Sequence, residues 1–260
     1  MNYWAELSIE YASQRSYLDD LFHVYPTIPE GIREVNENNW SLVEKAFDER
    51  NDLQLLQVLL SLDLFPIKDS YIAYLKRDKE SIKRNPLTVS RLCGRLYEMG
   101  LNEIYQKCSE PKETNRQIGP LFKRWIQKGT LGLTVLAINE FRKSSENAVL
   151  SASDNEMMRF AQETLNYTNN KGLDFIARIN NKYVIGEAKF LTDFGGHQNA
   201  QFNDAISLLQ IPNLKAIPVA ILDGVVYIKS NNKMYKSLNE ELANFNIMSS
   251  LVLREFLYQI

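Results

Sequence analysis

The sequence predicts a mixed α/β (α+β) protein in two parts. A helical region covers residues 1–128, and residues 129–260 form a core with a mixed central sheet flanked by helices. Three observations carry this reading. Apolar residues recur at helical spacing through the first part. In the second part, Leu173–Ile179 and Lys182–Leu191 are apolar, alternating runs separated only by Asn180-Asn181, the pattern of a tight β-hairpin. A capped helix precedes that hairpin, and a second helix and an apolar strand follow it, giving the order helix, hairpin, helix, strand.

Taken in order, Tyr3–Leu21 is helical in spacing. Pro29-Glu30 opens a further helix, since proline suits the first turn, and Trp40, Val43, Ala46 and Phe47 form an apolar stripe. Leu53–Leu64 is a strongly apolar helix that stops before Pro66; its leucines read as core. Tyr71, Ile72 and Leu75 mark the next helical face. Asn85-Pro86 is a cap and first-turn proline for Leu87–Met99, which Gly100 ends.

Gly129–Gly132 reads as a break, and Phe141–Val149 has little regular pattern. Ser153 and Glu156 have the spacing of a capping box. They open a helix to Leu165 with Met157, Phe160, Ala161 and Thr164 facing inward. After the hairpin, His197–Gln210 is a helix whose buried stripe is Phe202, Ala205, Ile206 and Leu209. Ala216–Leu222 is a strand, and Asp223-Gly224 signals a tight turn into Val225–Lys229. Pro218 confines that strand to an edge or a bulge. Leu238–Ile260 returns to helical spacing.

Composition narrows the function. With 45% hydrophobic and 24% charged residues over 260 positions, the chain is that of a globular protein with one large or two modest domains. No run approaches the roughly 18 apolar residues of a membrane span, and the first ten residues lack the pattern of a signal peptide. Two cysteines, Cys93 and Cys108, suit a reducing cytoplasm rather than a disulfide framework. Two distant histidines, His23 and His197, argue against zinc fingers. No GxxxxGK[ST] is present, so no ATP-driven motor is expected.

The net charge of −2 conceals a division: residues 1–65 hold 4 Lys+Arg against 12 Asp+Glu, residues 66–128 hold 14 against 7, and residues 129–260 hold 12 against 13. The middle block, at +7, is a candidate phosphate-facing surface with Lys83, Arg84, Arg116, Lys123 and Arg124 among its cations. Tyr71, Tyr74, Tyr97 and Trp125 lie between them, as suits a nucleic-acid backbone, although such aromatics are more often core. The alternative is a solvated helical face with salt bridges to the acidic first block.

The hairpin carries the chemistry. With Asn180-Asn181 as its turn, paired residues have numbers that sum to 361, so Asp174 stands opposite Glu187. Directly opposed Cβ atoms are roughly 4.5–5.5 Å apart, and alternation puts Lys189 on the same face. Two opposed carboxylates repel unless a cation lies between them. Mg²⁺ takes a few carboxylate or carbonyl oxygens and keeps several waters. Held so, it polarises a phosphoryl oxygen and supplies hydroxide, with the lysine orienting that water or meeting the developing charge. A solvated surface hairpin is the plain alternative.

Asp174 and Glu187-Ala188-Lys189, within residues 150–230, resemble the PD-(D/E)XK nucleases and among them the type II restriction endonucleases. The family's usual proline before the aspartate is replaced by Leu173. The resemblance implies a restriction-endonuclease-like core, catalysis by Asp174, Glu187 and Lys189, Mg²⁺ held by Asp174, Glu187 and Ala188, and Glu163 as an accessory acid, a residue that otherwise reads as a solvated helix side chain. It implies Mg²⁺-dependent hydrolysis of double-stranded DNA at a short specific site, in a bacterial or archaeal cytoplasm, with a partner methyltransferase encoded elsewhere. A structure-selective or repair nuclease, or an inactive DNA-binding protein of the same fold, are the rivals; the intact Asp174, Glu187 and Lys189 count against the last.

His197, Gln198, Asn199 and Gln201 in the first turn of the following helix suit a DNA cleft, since a helix N-terminus attracts phosphate and amides can read adenine. Ordinary capping and surface amides are the alternative. Only one such acid–lysine constellation exists per chain. Cutting both strands of a symmetric site is then simplest for a homodimer, although a monomer can nick each strand in turn.

Overall fold

The computed structural model describes residues 1–14, 16–26, 34–110 and 117–260. The chain opens with α1 (Tyr3–Ser13) and α2 (Tyr17–Val24). Five helices follow: α3 (Glu37–Asp48), α4 (Asp52–Ser61), α5 (Ile72–Arg77), α6 (Ser81–Arg84) and α7 (Pro86–Cys108). Then come α8 (Ile118–Gln127), β1 (Thr134–Ala137), α9 (Ile138–Lys143), β2 (Ala148–Ser151), α10 (Asp154–Thr164), β3 (Phe175–Ile179) and β4 (Lys182–Leu191). Last are α11 (Gly196–Leu209), β5 (Ile217–Gly224), α12 (Lys233–Asn239), β6 (Ile247–Met248) and α13 (Leu253–Tyr258).

These elements form two compact units, one of residues 28–113 and one of residues 1–27 with 114–260. A boundary at residue 128 therefore does not describe the packing. Tyr17, Leu21 and Val24 of α2, and Leu121, Phe122 and Ile126 of α8, share a core with the strands. The helix start expected at Pro29-Glu30 lies outside the described residues, as do Lys112 and Arg116.

In the helical unit, Asn36 and Asn51 cap α3 and α4 by accepting from backbone N–H groups of their first turns. Leu55, Leu56, Leu59 and Leu60 of α4 are buried against Val43 and Ala46 of α3 and Leu92 and Leu96 of α7. Each such burial is worth about 1.5–3 kcal/mol of transfer free energy. Gly100 breaks α7 where the sequence expects an end: its φ is +76°, and helix resumes beyond it. Asn85 does not cap α7 with its side chain, which instead donates to the Ser81 carbonyl at 2.7 Å.

The second unit is built on a six-stranded sheet in the order β1-β2-β3-β4-β5-β6. β1 and β2 run parallel, β3 is antiparallel to β2 and to β4, and β4, β5 and β6 run parallel. Cores form on both faces. Ile176 and Ile185 pack with Phe141, Met157, Phe160 and Ala161 of α9 and α10. Phe175, Ala177, Val184 and Val219 pack with α8, α11 and α13. Thr164, expected to face inward, is exposed.

The expected hairpin after β5 does not form. β5 pairs in parallel on both sides and ends at Gly224, with a 3-10 turn over Val225–Tyr227 beyond it. Gly224 has φ +90°, and a Cβ there would lie 2.2 Å from the Leu191 carbonyl oxygen, so only glycine allows this approach of β5 to β4. Asp223 points inward, fully buried, accepting from Tyr25 Oη at 2.8 Å and from Ser249 Oγ and the Ser250 backbone N–H. Burial raises its carboxyl above the ordinary range against these hydrogen bonds. Pro218 faces Ile185 of β4, while β6 reaches β5 only at Ala220 and Ile221, so the proline's other side carries no ladder pair.

Candidate active site

The hairpin forms with the register its turn dictates. Asn180 and Asn181 have φ of +49° and +63°, as a two-residue turn with both central residues left-handed requires. Pairs run from Ile179↔Lys182 to Phe175↔Gly186. One step further, the Asp174 N–H donates to the Gly186 carbonyl at 3.2 Å, so Asp174 closes the end of the ladder beside Glu187.

Side chains converge there. Asp174 Oδ2 accepts from the Ala188 N–H at 3.0 Å and from Lys189 Nζ at 3.4 Å. Lys189 Nζ also donates to Glu187 Oε2 at 2.9 Å. Two further groups join that the D-x12-E-x-K spacing does not contain. Lys171 Nζ lies 3.0 Å from Glu187 Oε2 and 2.5 Å from Asp204 Oδ2 on α11. The Tyr167 hydroxyl donates to the Lys171 carbonyl at 3.0 Å. Lys171 sits three residues before Asp174, but nothing in the local pattern sets it apart from a solvated lysine. Asp204 lies 33 residues from Lys171 and meets it only because α11 folds back beside β4.

Burial dominates the electrostatics. The Glu187 side chain is 3% exposed, against 16% for Asp174 and 19% for Lys189. Desolvation, and then the charge of Asp174, push the Glu187 carboxyl up to about 7, against the pull of Lys189 and Lys171. Burial works to lower the Lys189 ammonium, but Asp174 and Glu187 outweigh it and hold it above the ordinary lysine range. At Glu187, Oε2 carries two ammonium donors, whereas Oε1 is buried with no hydrogen-bond partner among the described residues. A buried orphan oxygen beside a second carboxylate is the chemistry that accepts a hard cation. Among the described residues no three His, Cys, Asp or Glu side chains form a closed metal centre. A site of two carboxylates leaves the remaining positions to water and phosphate, which is how Mg²⁺ is commonly held.

The other candidate residues fall in several places. Glu163 pairs with Arg142 of α9 at 2.6 Å rather than with the cluster, at the C-terminal end of α10, where the loop that leads into β3 begins. The last residues of that loop return to the N-terminal end of α10: the Leu173 N–H donates to the Asp154 carbonyl at 3.3 Å. In the first turn of α11, Gln198 is buried and holds the preceding loop by bonding the Thr192 N–H and Oγ1, so it is not available to a ligand. His197 and Asn199 are exposed and Gln201 half-buried; His197 and Gln201 bond each other at 3.0 Å, and Asn199 donates to the Phe194 carbonyl.

The basic block is paired mainly within itself. Lys83 meets Glu80, Arg84 meets Asp78, Arg91 meets Asp69, Arg95 meets Glu98 and Lys107 meets Glu110. Lys123 pairs with Asp154, and Arg124 is exposed. Tyr71 and Tyr74 are exposed rather than core, while Tyr97 donates to Asp52 at 2.8 Å and Trp125 packs on Phe122.

A family model described as the Tsp45I type II restriction enzyme matches residues 2–260. No curated protein and no solved structure matches the chain. The match covers nearly the whole sequence, both compact units included. The chain belongs to the Tsp45I family of type II restriction enzymes, endodeoxyribonucleases that cut DNA at a specific sequence.

Proposed function

We propose that this enzyme cuts DNA with Mg²⁺ at the β3–β4 hairpin, with Asp174, Glu187 and Lys189 as its catalytic residues. Type II restriction enzymes generally depend on a divalent metal. The observation that carries the assignment is the orphaned, buried Glu187 Oε1 beside Asp174. Asp174, Glu187 and the Ala188 carbonyl would hold the ion. When bound it supplies a Lewis acid for the phosphoryl oxygen and a water of lowered pKa.

The chain's own groups do the rest. The Ala188 N–H fixes one oxygen of Asp174, so the carboxylate is oriented before substrate arrives. Lys189 stays charged between the two acids and presents an ammonium donor to the attacking water or to the charge that develops on the phosphoryl group. His197, Asn199 and Gln201 at the start of α11 suit the DNA close to the reacting bond. Lys83, Arg84, Lys123 and Arg124 suit the backbone. Exposed ion pairs such as Lys83–Glu80 are worth only about 0–1 kcal/mol, so phosphate readily replaces the acid.

Digestion of plasmid DNA in Mg²⁺ tests the assignment. Discrete bands are expected from the wild type. Asp174→Ala and Lys189→Met should each lose cleavage by roughly 10³-fold while retaining DNA in a gel shift. Near-native cutting by either variant overturns it. The Lys189 variant keeps its metal, because a charged lysine has no lone pair for one.

One constellation per chain further supports a homodimer on a symmetric site. Exposed Leu18 and Phe22, four apart on α2, and Tyr258 on α13 are suited to its contacts. Sedimentation at micromolar concentration should give a species of twice the 30.1 kDa chain. A monomer that accumulates nicked plasmid before linear product refutes the dimer.

A further inference from the structure

The cluster holds two lysines, and the cleavage chemistry above uses one. The second, Lys171, is built into the site. Its backbone is tethered by the buried Tyr167 through the hydroxyl-to-carbonyl bond of 3.0 Å. Its ammonium bridges β4 to α11, at 3.0 Å from Glu187 Oε2 and 2.5 Å from Asp204 Oδ2. Lys171 and Lys189 therefore share one oxygen of Glu187 and leave the other, Oε1, without a donor among the described residues.

We propose that Lys171 sets, by its charge, how tightly the cleavage site takes a divalent cation: restrained by Asp204, its ammonium sits on Glu187 Oε2, one carboxylate away from the cation position at Oε1. This rests on Asp174 and Glu187 being the metal ligands. Within the cluster, Asp174, Glu187 and Asp204 oppose Lys171 and Lys189, a net charge of −1. Loss of Lys171 makes it −2, and loss of Asp204 makes it 0.

Two effects of removing Lys171 compete. Glu187 loses one restraint, and the cation loses one repelling charge. The restraint is redundant, because Lys189 still holds the same oxygen at 2.9 Å and the side chain stays buried. The repulsion is not redundant. An ammonium one carboxylate away from a divalent ion lowers its affinity by on the order of tenfold even under water-like screening. Charge therefore decides the sign, and the site of the wild type binds its cation more weakly, and more exchangeably, than its two acids alone would.

Mn²⁺ binding to the full chain, followed by isothermal calorimetry, tests this beside plasmid cleavage. Lys171→Met should bind Mn²⁺ about tenfold tighter and Asp204→Asn about tenfold weaker, with Lys171→Arg within about twofold of wild type because it retains the charge. A lysine with only a structural role would loosen Mn²⁺ binding when removed, so equal or weaker binding by Lys171→Met overturns the proposal. If that variant does not fold, unchanged Mn²⁺ affinity in Asp204→Asn overturns it instead. Glu187→Gln separates the two levels. If it binds Mn²⁺ like the wild type, the ligand assignment itself fails. If it loses Mn²⁺ while Lys171→Met matches wild type, only the role of Lys171 fails.

Discussion

Glu187→Gln should make the metal-free protein more stable at alkaline pH while removing its activity. Glu187 is buried, with its carboxyl pushed from 4.5 to about 7, first by desolvation and then by Asp174. A carboxyl whose folded pKa lies above its unfolded value contributes stability that is complete below the unfolded pKa and is lost as pH rises through the folded one. The window here runs from about pH 4.5 to above pH 7. Holding the carboxyl at about 7 instead of 4.5 corresponds to roughly 3 kcal/mol once both states are ionised. Glutamine keeps the shape and never ionises, so it escapes that loss. In a chelating buffer the variant should match wild type near pH 4 and exceed it by up to roughly 3 kcal/mol at pH 8.5. Urea unfolding at the two pH values measures the difference. Excess Mg²⁺ should then narrow or reverse it, because ligand binding stabilises only a protein that binds. A variant less stable than wild type at pH 8.5 in chelator would refute the claim that Glu187 is held ionised at the fold's expense.

Two further outcomes are expected. Replacing Lys83 and Arg84 with alanine should flatten the dependence of log affinity on log salt by about 0.9 for each phosphate left without its cation, read by titration at several salt concentrations; an unchanged slope there and in a Lys123, Arg124 double variant places the DNA elsewhere. Gly172→Ala should destabilise by about 1–3 kcal/mol, since its Cβ would lie 2.5 Å from Asp154 Cβ and 3.2 Å from that residue's backbone; thermal unfolding that matches wild type would show that the loop beside Lys171 yields freely.

What could be seen in the chain alone was what neighbours in sequence decide. Asn180 and Asn181 accept positive φ, so they specify the turn, the turn specifies the register, and the register brings Asp174, Glu187 and Lys189 together. Ser153 and Glu156 bond reciprocally within one turn and so announce α10. Four of the six buried residues of α11, Phe202, Ala205, Ile206 and Leu209, are visible in their spacing for the same reason.

What only the tertiary structure decided depends on residues far apart in the chain. β1 and β2 have four residues each and pair in parallel across an intervening helix, with no turn between them to betray the pairing. Asp223-Gly224 has the composition of a hairpin turn, but its carboxylate is worth more inside, where Tyr25 and Ser249 reach it from 198 and 26 residues away. Gln198 turns inward because Thr192 needs its two hydrogen bonds. α1, α2 and α8 read as part of a helical region, and the apolar faces of the sheet claimed them. Lys171 and Asp204 meet at Glu187 because buried like charges demand a cation, and the fold, not the local sequence, determines which lysine is within reach.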